Sequence, residues 1–381
     1  MSRAAPPIAG TEDHPHARMS LSTALATGPS HAYLFHGPAG VGKRTAARAF
    51  AAELLAAGSE DADGARRRVL AGTHPDLTWV RPTGAHVMRT QDVDEPVIAA
   101  ATRTPFESSR RVFVLERVDT MNDEVANRLL KTLEEPASFV HLLLVTDALD
   151  QVLPTVVSRC QPVRFDRLPA DRIAAELERS GVEPERAAAC ARLALGNAAR
   201  ARYLASEEGQ VLRADVDRMI AAALGGAGRG PDEPEAWRGL LDRAEERRAA
   251  AEASVAAERK ERLQSEPKGR DRAALEKGFD EAARRDGRRA RTEVLDLGLT
   301  LAALAFRDLV CLAEGAPEAA LDLGRAEALA ATASAHAREP RRLLAAAQRC
   351  EDVRLSLELN VTEDLALEAL GFRLARLVGA A

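Results

Sequence analysis

The pattern of hydrophobic and polar positions changes near residue 168 of this 381-residue chain. Between His31 and Phe165, short apolar runs alternate with amphipathic stretches, a pattern typical of parallel strands joined by crossover helices. The predicted strands are 32–36, 77–80, 111–116, 140–146 and 162–165. We therefore expect an α/β domain with a parallel five-stranded sheet in this part of the chain.

Two helices of this domain can be predicted with their boundaries. An alanine-rich helix over 44–55 follows the first strand and a glycine-rich turn. Between the third and fourth strands, Asn122 can cap a helix that Pro136 stops. The apolar residues of this second helix share one face, and they are Val125, Ala126, Leu129, Leu130 and Leu133.

Beyond Leu168 the strand signals vanish, and Ala, Leu, Glu and Arg dominate. We expect an α/β domain over 1–166, a small helical domain over 167–208 and an all-helical domain over 209–381. The last of these contains a charged region, about 225–292, with few large apolar residues, which favours a solvent-exposed helix or helix pair. Leucine-rich helices are predicted to resume after it.

Composition narrows the choice of function. The formal net charge of −5 gives no global basic field, so any DNA contact should be local or shared with partners. The four cysteines lie far apart without a C-x-x-C pair, which argues against a disulfide framework and a zinc knuckle. No apolar run is long enough for a membrane span, and residues 1–10 do not resemble a signal peptide. We expect a cytoplasmic protein.

The turn after the first strand has the sequence Gly37-Pro38-Ala39-Gly40-Val41-Gly42-Lys43. Between a strand and a helix, glycines at this spacing let successive backbone N–H groups wrap a phosphate, and the lysine reaches the outer phosphates. We therefore predict an ATP or ADP site formed by Gly37, Gly40, Gly42 and Lys43. The alternative is a strand-to-helix turn without a ligand.

Residues at two places in this predicted site differ from those of a competent ATPase. Arg44 stands where a Ser or Thr hydroxyl normally holds Mg²⁺. Thr45 comes one residue late, and a helix turns about 100° per residue, so its hydroxyl should point away from the metal. At the end of the third strand, Glu116 can replace the usual Asp, but Arg117 cannot act as the usual Glu because a guanidinium has no acceptor. Both substitutions predict weak or absent hydrolysis, with magnesium relevant only if nucleotide binds.

A contiguous motif and several shorter ones resemble the clamp-loader subunits of bacterial DNA polymerase III. These stretches are Asn127-Arg128-Leu129-Leu130-Lys131-Thr132-Leu133-Glu134-Glu135-Pro136, His74-Pro75-Asp76-Leu77, Leu143-Leu144-Val145-Thr146 and Ser158-Arg159-Cys160. The resemblance implies a RecA-like AAA+ fold, followed by a helical lid and a C-terminal collar domain that assembles into a ring.

The resemblance also implies roles for single residues. Arg159 matches the arginine that one clamp-loader subunit inserts, as an arginine finger, into the ATP site of the next subunit. Thr146 matches the first sensor of the family and Arg200 the second. A local structural role is the alternative for each of the three; for Arg159 it would be a helix-end arginine paired to a nearby carboxylate.

Among clamp-loader subunits, the damaged site favours the delta-prime type over the motor type. The implied partners are the gamma/tau motor and delta subunits in a hetero-oligomeric ring, and through that ring the sliding clamp and primer-template DNA. Zinc is not carried over, because the segment 51–73 lacks the four cysteines of many family members. Three alternatives remain open: a divergent paralogue with a different assembly, a competent ATPase, of the motor type or free-standing, and a helical scaffold that binds no nucleotide.

Overall fold

The alternating segment forms a parallel sheet in the computed structural model, which describes residues 8–83, 87–225, 236–264, 270–332, 339–357 and 361–379. The strands are β1 (Ala32–His36), β2 (Leu77–Val80), β3 (Arg111–Glu116), β4 (Val140–Thr146) and β5 (Gln161–Arg164). Their order is β2-β3-β4-β1-β5, and every neighbouring pair is parallel. The predicted α/β fold is confirmed, with β5 beginning one residue earlier than expected.

Helices cover both faces of this sheet, as a parallel sheet requires. Successive side chains of a strand point to opposite faces, so Tyr33 and Phe35 of β1 lie in one hydrophobic cluster and Leu34 in the other. The first cluster includes residues of α1 (Pro15–Thr27), α2 (Lys43–Ala56) and α3 (Ala62–Ala71). The second includes residues of α4 (Thr90–Val93), α5 (Asp123–Glu134) and α6 (Pro154–Val157).

Helix α5 confirms the prediction of its cap and its buried face. The Asn122 side chain accepts a hydrogen bond from the Val125 N–H at 3.0 Å, which satisfies a donor at the start of the helix. Val125, Ala126, Leu129 and Leu133 are buried. The cap and the apolar stripe together fix where α5 begins and which side faces the sheet.

The described residues divide into two compact units. One contains the chain up to Ile173 together with Leu195–Arg200, and the other contains Ala174–Ala194 and the chain from Ala201 onward. The division into domains at 1–166, 167–208 and 209–381 stays a prediction. In the described part of the chain, no helix is long and apolar enough to span a membrane.

Helices account for the chain after β5. They are α7 (Ala170–Arg179), α8 (Pro184–Leu193), α9 (Ala198–Ala205), α10 (Glu207–Gly225), α11 (Arg238–Gln264), α12 (Arg270–Ala313), α13 (Leu323–Thr332), α14 (Pro340–Ser356) and α15 (Glu363–Val378). In the charged region, α11 and α12 pack against each other as a helix pair, and α12 continues past Thr292. The glycine-rich opening of that region, 226–231, lies outside the described residues.

Candidate phosphate-loop site

The loop between β1 and α2 has the conformation that its glycines permit. Gly37, Gly40 and Gly42 have φ angles of 136°, 73° and 101°, in the region that favours glycine. Gly42 is the N-cap of α2, so the helix begins at Lys43 and its first N–H groups face the loop. An added Cβ at Gly40 would come within 1.8 Å of the Asn197 Oδ1, which shows that Asn197 packs directly on the loop.

The ammonium of Lys43 is turned into this loop. Its side chain is 3% exposed, and Nζ lies 2.6 Å from Asp147 Oδ1. Nζ also donates to the carbonyl oxygens of Gly37 and Pro38. Burial lowers the pKa of Lys43, while the Asp147 and Asp119 carboxylates act to raise it. A lysine has three N–H donors, and these three partners use them, so a phosphate must displace one partner to bind Lys43.

Arg44 contacts the acidic residue at the end of β3. Its Nε lies 2.9 Å from Glu116 Oε1, and the Glu116 side chain is only 4% exposed. The same oxygen accepts the Trp79 Nε1–H at 2.5 Å and lies 3.2 Å from Arg81 Nε. A buried carboxylate requires such counter-charges and donors. The guanidinium of Arg44 therefore lies against the carboxylate that was predicted to help hold a metal.

Arg117, the other substitution, has an unusual backbone conformation. Its φ of 55° is positive, which is uncommon for a residue with a side chain. It precedes a short 3₁₀ turn, Val118–Thr120, and its carbonyl accepts hydrogen bonds from the Thr120 N–H at 2.9 Å and the Thr120 hydroxyl at 2.7 Å. The chain thus bends sharply after Glu116 and brings Asp119 toward the end of β4.

Thr146, the candidate first sensor, has its hydroxyl engaged within the chain. Thr146 is 1% exposed, and its Oγ1 donates to Asp119 Oδ1 at 2.7 Å and accepts from the Ala148 N–H at 3.0 Å. The next residue, Asp147, is the partner of Lys43. The end of β4 therefore connects the turn after β3 with the phosphate loop.

The remaining predicted residues lie at different distances from this centre. Thr45 is exposed, as is Arg44 before it, and the rotation of its hydroxyl away from the metal position stays a prediction. Arg200 lies in the first turn of α9, and its N–H donates to Asn197 Oδ1 at 2.9 Å. Because Asn197 also touches Gly40, the start of α9 lies beside the loop.

Arg159 lies just after α6 and contacts the end of α5. Its Nε donates to Glu134 Oε1 at 2.8 Å, its Nη2 lies 2.5 Å from the same oxygen, and its Nη1 donates to the Thr155 carbonyl at 2.9 Å. The Arg159 side chain is 34% exposed and that of Glu134 is 47% exposed. The contact is the helix-end pairing that is the alternative to the finger role, and it leaves the guanidinium at the surface.

The sequence reasoning missed several residues that complete the site, namely Asp119, Asp147, Asn197, Trp79 and Arg81. Two of them had a usable signal. Asp147 directly follows the candidate sensor Thr146, and Asp119 comes three positions after Glu116. Carboxyl ends of parallel strands meet at one edge of a sheet, so carboxylates just beyond β3 and β4 could have been expected near the loop.

The donor set around the loop does not fit a magnesium ion. Mg²⁺ takes octahedral oxygen ligands, yet Glu116 is paired with guanidinium groups, Asp119 accepts from Thr146 and Asp147 is paired with Lys43. Position 44 supplies a cation in place of a hydroxyl. Among the residues that the structure describes, no group of three or more His, Cys, Asp or Glu side chains could hold a metal ion.

The sheet order, the loop after β1 and the acidic end of β3 define a P-loop α/β domain. Residues 14–169 match the family model described as "DNA polymerase III, delta subunit". Over that region, the resemblance to delta-prime clamp-loader subunits indicated by the motifs is confirmed.

Curated relatives agree with the family match. The chain is 35% identical over 162 residues to DNA polymerase III subunit delta' of Bacillus subtilis, covering 42% of this chain and 49% of the relative. It is 40% identical over 136 residues to the delta' subunit of Pseudomonas aeruginosa, covering 34% and 42%. It is also 32% identical over 225 residues to the tau subunit of Escherichia coli, covering 52% and 34%. The chain spans about half the length, or less, of these relatives.

Proposed function

We propose that this chain is the delta-prime-type subunit of a DNA polymerase III clamp loader, helping a hetero-oligomeric ring place the sliding clamp on primed DNA. The observation that carries the proposal is the contact between Arg44 and Glu116. It lies in a loop whose lysine and glycines are retained, yet it puts a guanidinium against the acidic residue of the metal site. A chain with this loop is poorly suited to hydrolysis, so in this proposal it contributes to the ring through its neighbours' sites.

In this proposal Arg159 serves the ATP site of a neighbouring motor subunit. A guanidinium that stabilises a transferring phosphate must be accessible to it, so that its planar fork of N–H donors can reach the phosphate oxygens. Arg159 is 34% exposed, and its partner Glu134 is 47% exposed. An ion pair between partly exposed side chains contributes only about 0–1 kcal/mol, so releasing Arg159 toward a phosphate costs little. Until then, Glu134 and the Thr155 carbonyl hold its orientation.

The proposal assigns the chain's own loop a weak interaction with ATP or ADP. The candidate contacts are the backbone of Gly37, Gly40 and Gly42 together with Lys43, while Thr146 and Arg200 would report on bound nucleotide as sensors. Because the three donors of Lys43 are used within the chain, binding requires displacement of a partner. Partner subunits are the gamma/tau motor and delta, and the complex works in the cytoplasm.

The test is the DNA-stimulated ATPase of a reconstituted loader that contains this full-length chain. Arg159→Ala should lower that rate by about 10³-fold or more, the range reported for lost arginine fingers. Arg164→Ala is the matched control, since Arg164 is also an exposed arginine near the sheet end, at 69% exposure. If Arg159→Ala assembles normally and leaves the rate at the control's value, the finger assignment is wrong.

A motor-type ATPase is the second candidate, favoured by the similarity to the tau subunit and by the retained lysine. It predicts magnesium-dependent turnover by the purified chain that is lost in Lys43→Ala. The delta-prime proposal predicts negligible turnover by the chain alone. A steady-state ATPase assay on the single polypeptide separates the two.

A further inference from the structure

The buried carboxylate at the end of β3 already has its counter-charge, and this determines what the loop can bind. Glu116 Oε1 lies 2.9 Å from Arg44 Nε and 3.2 Å from Arg81 Nε, and its side chain is 4% exposed. Trp79 Nε1–H donates to the same oxygen at 2.5 Å. To bind Glu116, a magnesium ion would have to displace a guanidinium from a carboxylate that water barely reaches, which is strongly unfavourable.

Arg44 also stands at the helix position from which a hydroxyl would normally reach the metal. It is the second residue of α2, directly after Lys43, so it belongs to the turn that faces a bound phosphate. Its side chain is 47% exposed while its Nε contacts Glu116. One end of the guanidinium thus lies on the buried acid and the side chain still reaches solvent at the mouth of the loop.

We propose that Arg44 is an internal cation that replaces magnesium, so that the loop binds a metal-free polyphosphate such as ADP. A guanidinium carries five N–H donors in a planar fork and can bridge a carboxylate and a phosphate. Lys43 and Arg44 then provide the positive charge that Lys43 and Mg²⁺ provide in a competent ATPase. The inference concerns only this chain's own loop and does not depend on the role of Arg159.

The proposal predicts that magnesium acts with the opposite sign from that in an ordinary P-loop protein. Mg²⁺ binds ADP in solution and lowers the concentration of the metal-free form, so adding it should weaken binding to this chain. In a site that uses the metal, adding it strengthens binding.

The experiment is isothermal titration of the full-length chain with ADP, once with a chelator and once with excess magnesium. Wild type should bind ADP in the chelator and bind it more weakly in magnesium. Arg44→Thr should lose about tenfold in affinity in the chelator, the size expected for one charge-assisted hydrogen bond. Arg67→Thr is the control, because Arg67 is an exposed arginine of the neighbouring helix α3.

Three results would overturn the proposal. In the first, wild type binds ADP more tightly in magnesium than in the chelator. In the second, wild type and Arg44→Thr bind metal-free ADP equally well. In the third, wild type binds ADP in neither buffer. Circular dichroism of each variant establishes that it is folded, and the exposure of Arg44 makes misfolding of Arg44→Thr unexpected. A failure of Arg159→Ala in the reconstituted loader would leave these titrations unaffected, so the two proposals can fail separately.

Discussion

The carboxylate of Asp76 organises the loop that leads into β3, and its removal should destabilise the α/β unit. Asp76 is 0% exposed. Its Oδ1 accepts the Phe106 N–H at 2.5 Å, and its Oδ2 accepts the Glu107 and Ser108 N–H groups, both at 2.9 Å. Its backbone carbonyl accepts the Val112 N–H at 2.9 Å. Asp76 therefore ties this loop and the start of β3 to the start of β2.

The size of the effect follows from these bonds. A hydrogen bond to a charged group contributes about 1.5–3 kcal/mol, and bonds that share one carboxylate do not add fully. We expect Asp76→Ala to lower the free energy of unfolding by about 3–5 kcal/mol. Asp76→Asn keeps the shape but sets an NH₂ group against N–H donors, so a loss of about 2–3 kcal/mol is expected.

Tryptophan fluorescence can follow this unit alone. The chain has two tryptophans, Trp79 in the α/β unit and Trp237 in the other unit. In a Trp237→Phe background, urea unfolding monitored by Trp79 gives the stability of the α/β unit with its m-value. Asp63→Ala is the control, because its side chain is 82% exposed and a change within about 0.5 kcal/mol is expected. A loss below about 1 kcal/mol in Asp76→Ala would refute the reasoning.

Two further predictions concern charges near the sheet. Asp147→Asn should raise the affinity for ADP up to about fivefold, because it frees a donor of Lys43. The Asp147 side chain is 54% exposed, so its ion pair with Lys43 is worth at most about 1 kcal/mol. Unchanged or weaker ADP binding in the titration would contradict this. Burial lowers the pKa of His141 to about 4 from 6.5, so the folded state favours the neutral ring. The neutral His141 ring therefore contributes fully to the free energy of unfolding above pH 6.5, and this contribution is lost as the pH falls toward 4. The loss in the free energy of unfolding is at most about 3 kcal/mol. Urea unfolding of wild type and His141→Gln over this range should show a smaller acid-induced loss in the variant, and identical slopes would show that His141 is not responsible.

The sheet could be predicted from the sequence because strands that are buried on both faces are nearly continuous runs of apolar residues. β4 is buried along its whole length and reads as a nearly continuous apolar run. The cap and apolar stripe of α5 were also visible, since both depend on residues a few positions apart. The helix pair of the charged region was among the predictions from composition. The continuation of α12 past Thr292 was not, because charged and leucine-rich segments can share one helix.

The contacts of the site were harder to predict because they join residues far apart in the chain. Lys43 with Asp147, Arg44 with Glu116 and Gly40 with Asn197 depend on how the strand ends and the start of α9 come together. Residue types and spacing showed that Arg44 could not act as a metal ligand. They did not show that its guanidinium reaches the buried acid. That contact depends on the position of β3 in the sheet and on Trp79 and Arg81 at the end of β2.

The two substitutions in the loop site are connected by this geometry. From sequence, Arg44 and Arg117 are separate losses, one of a metal ligand and one of the group that activates water. In the structure Arg44 binds Glu116 directly, so in the proposed site the metal's role is lost as soon as this guanidinium is present. An acidic residue at 117 could then activate water only beside a phosphate that lacks its metal, where it would contribute little to the rate. An arginine at 117 in place of that acid therefore causes no further loss of hydrolysis. Arg117→Glu alone should give no ATP hydrolysis while Arg44 remains.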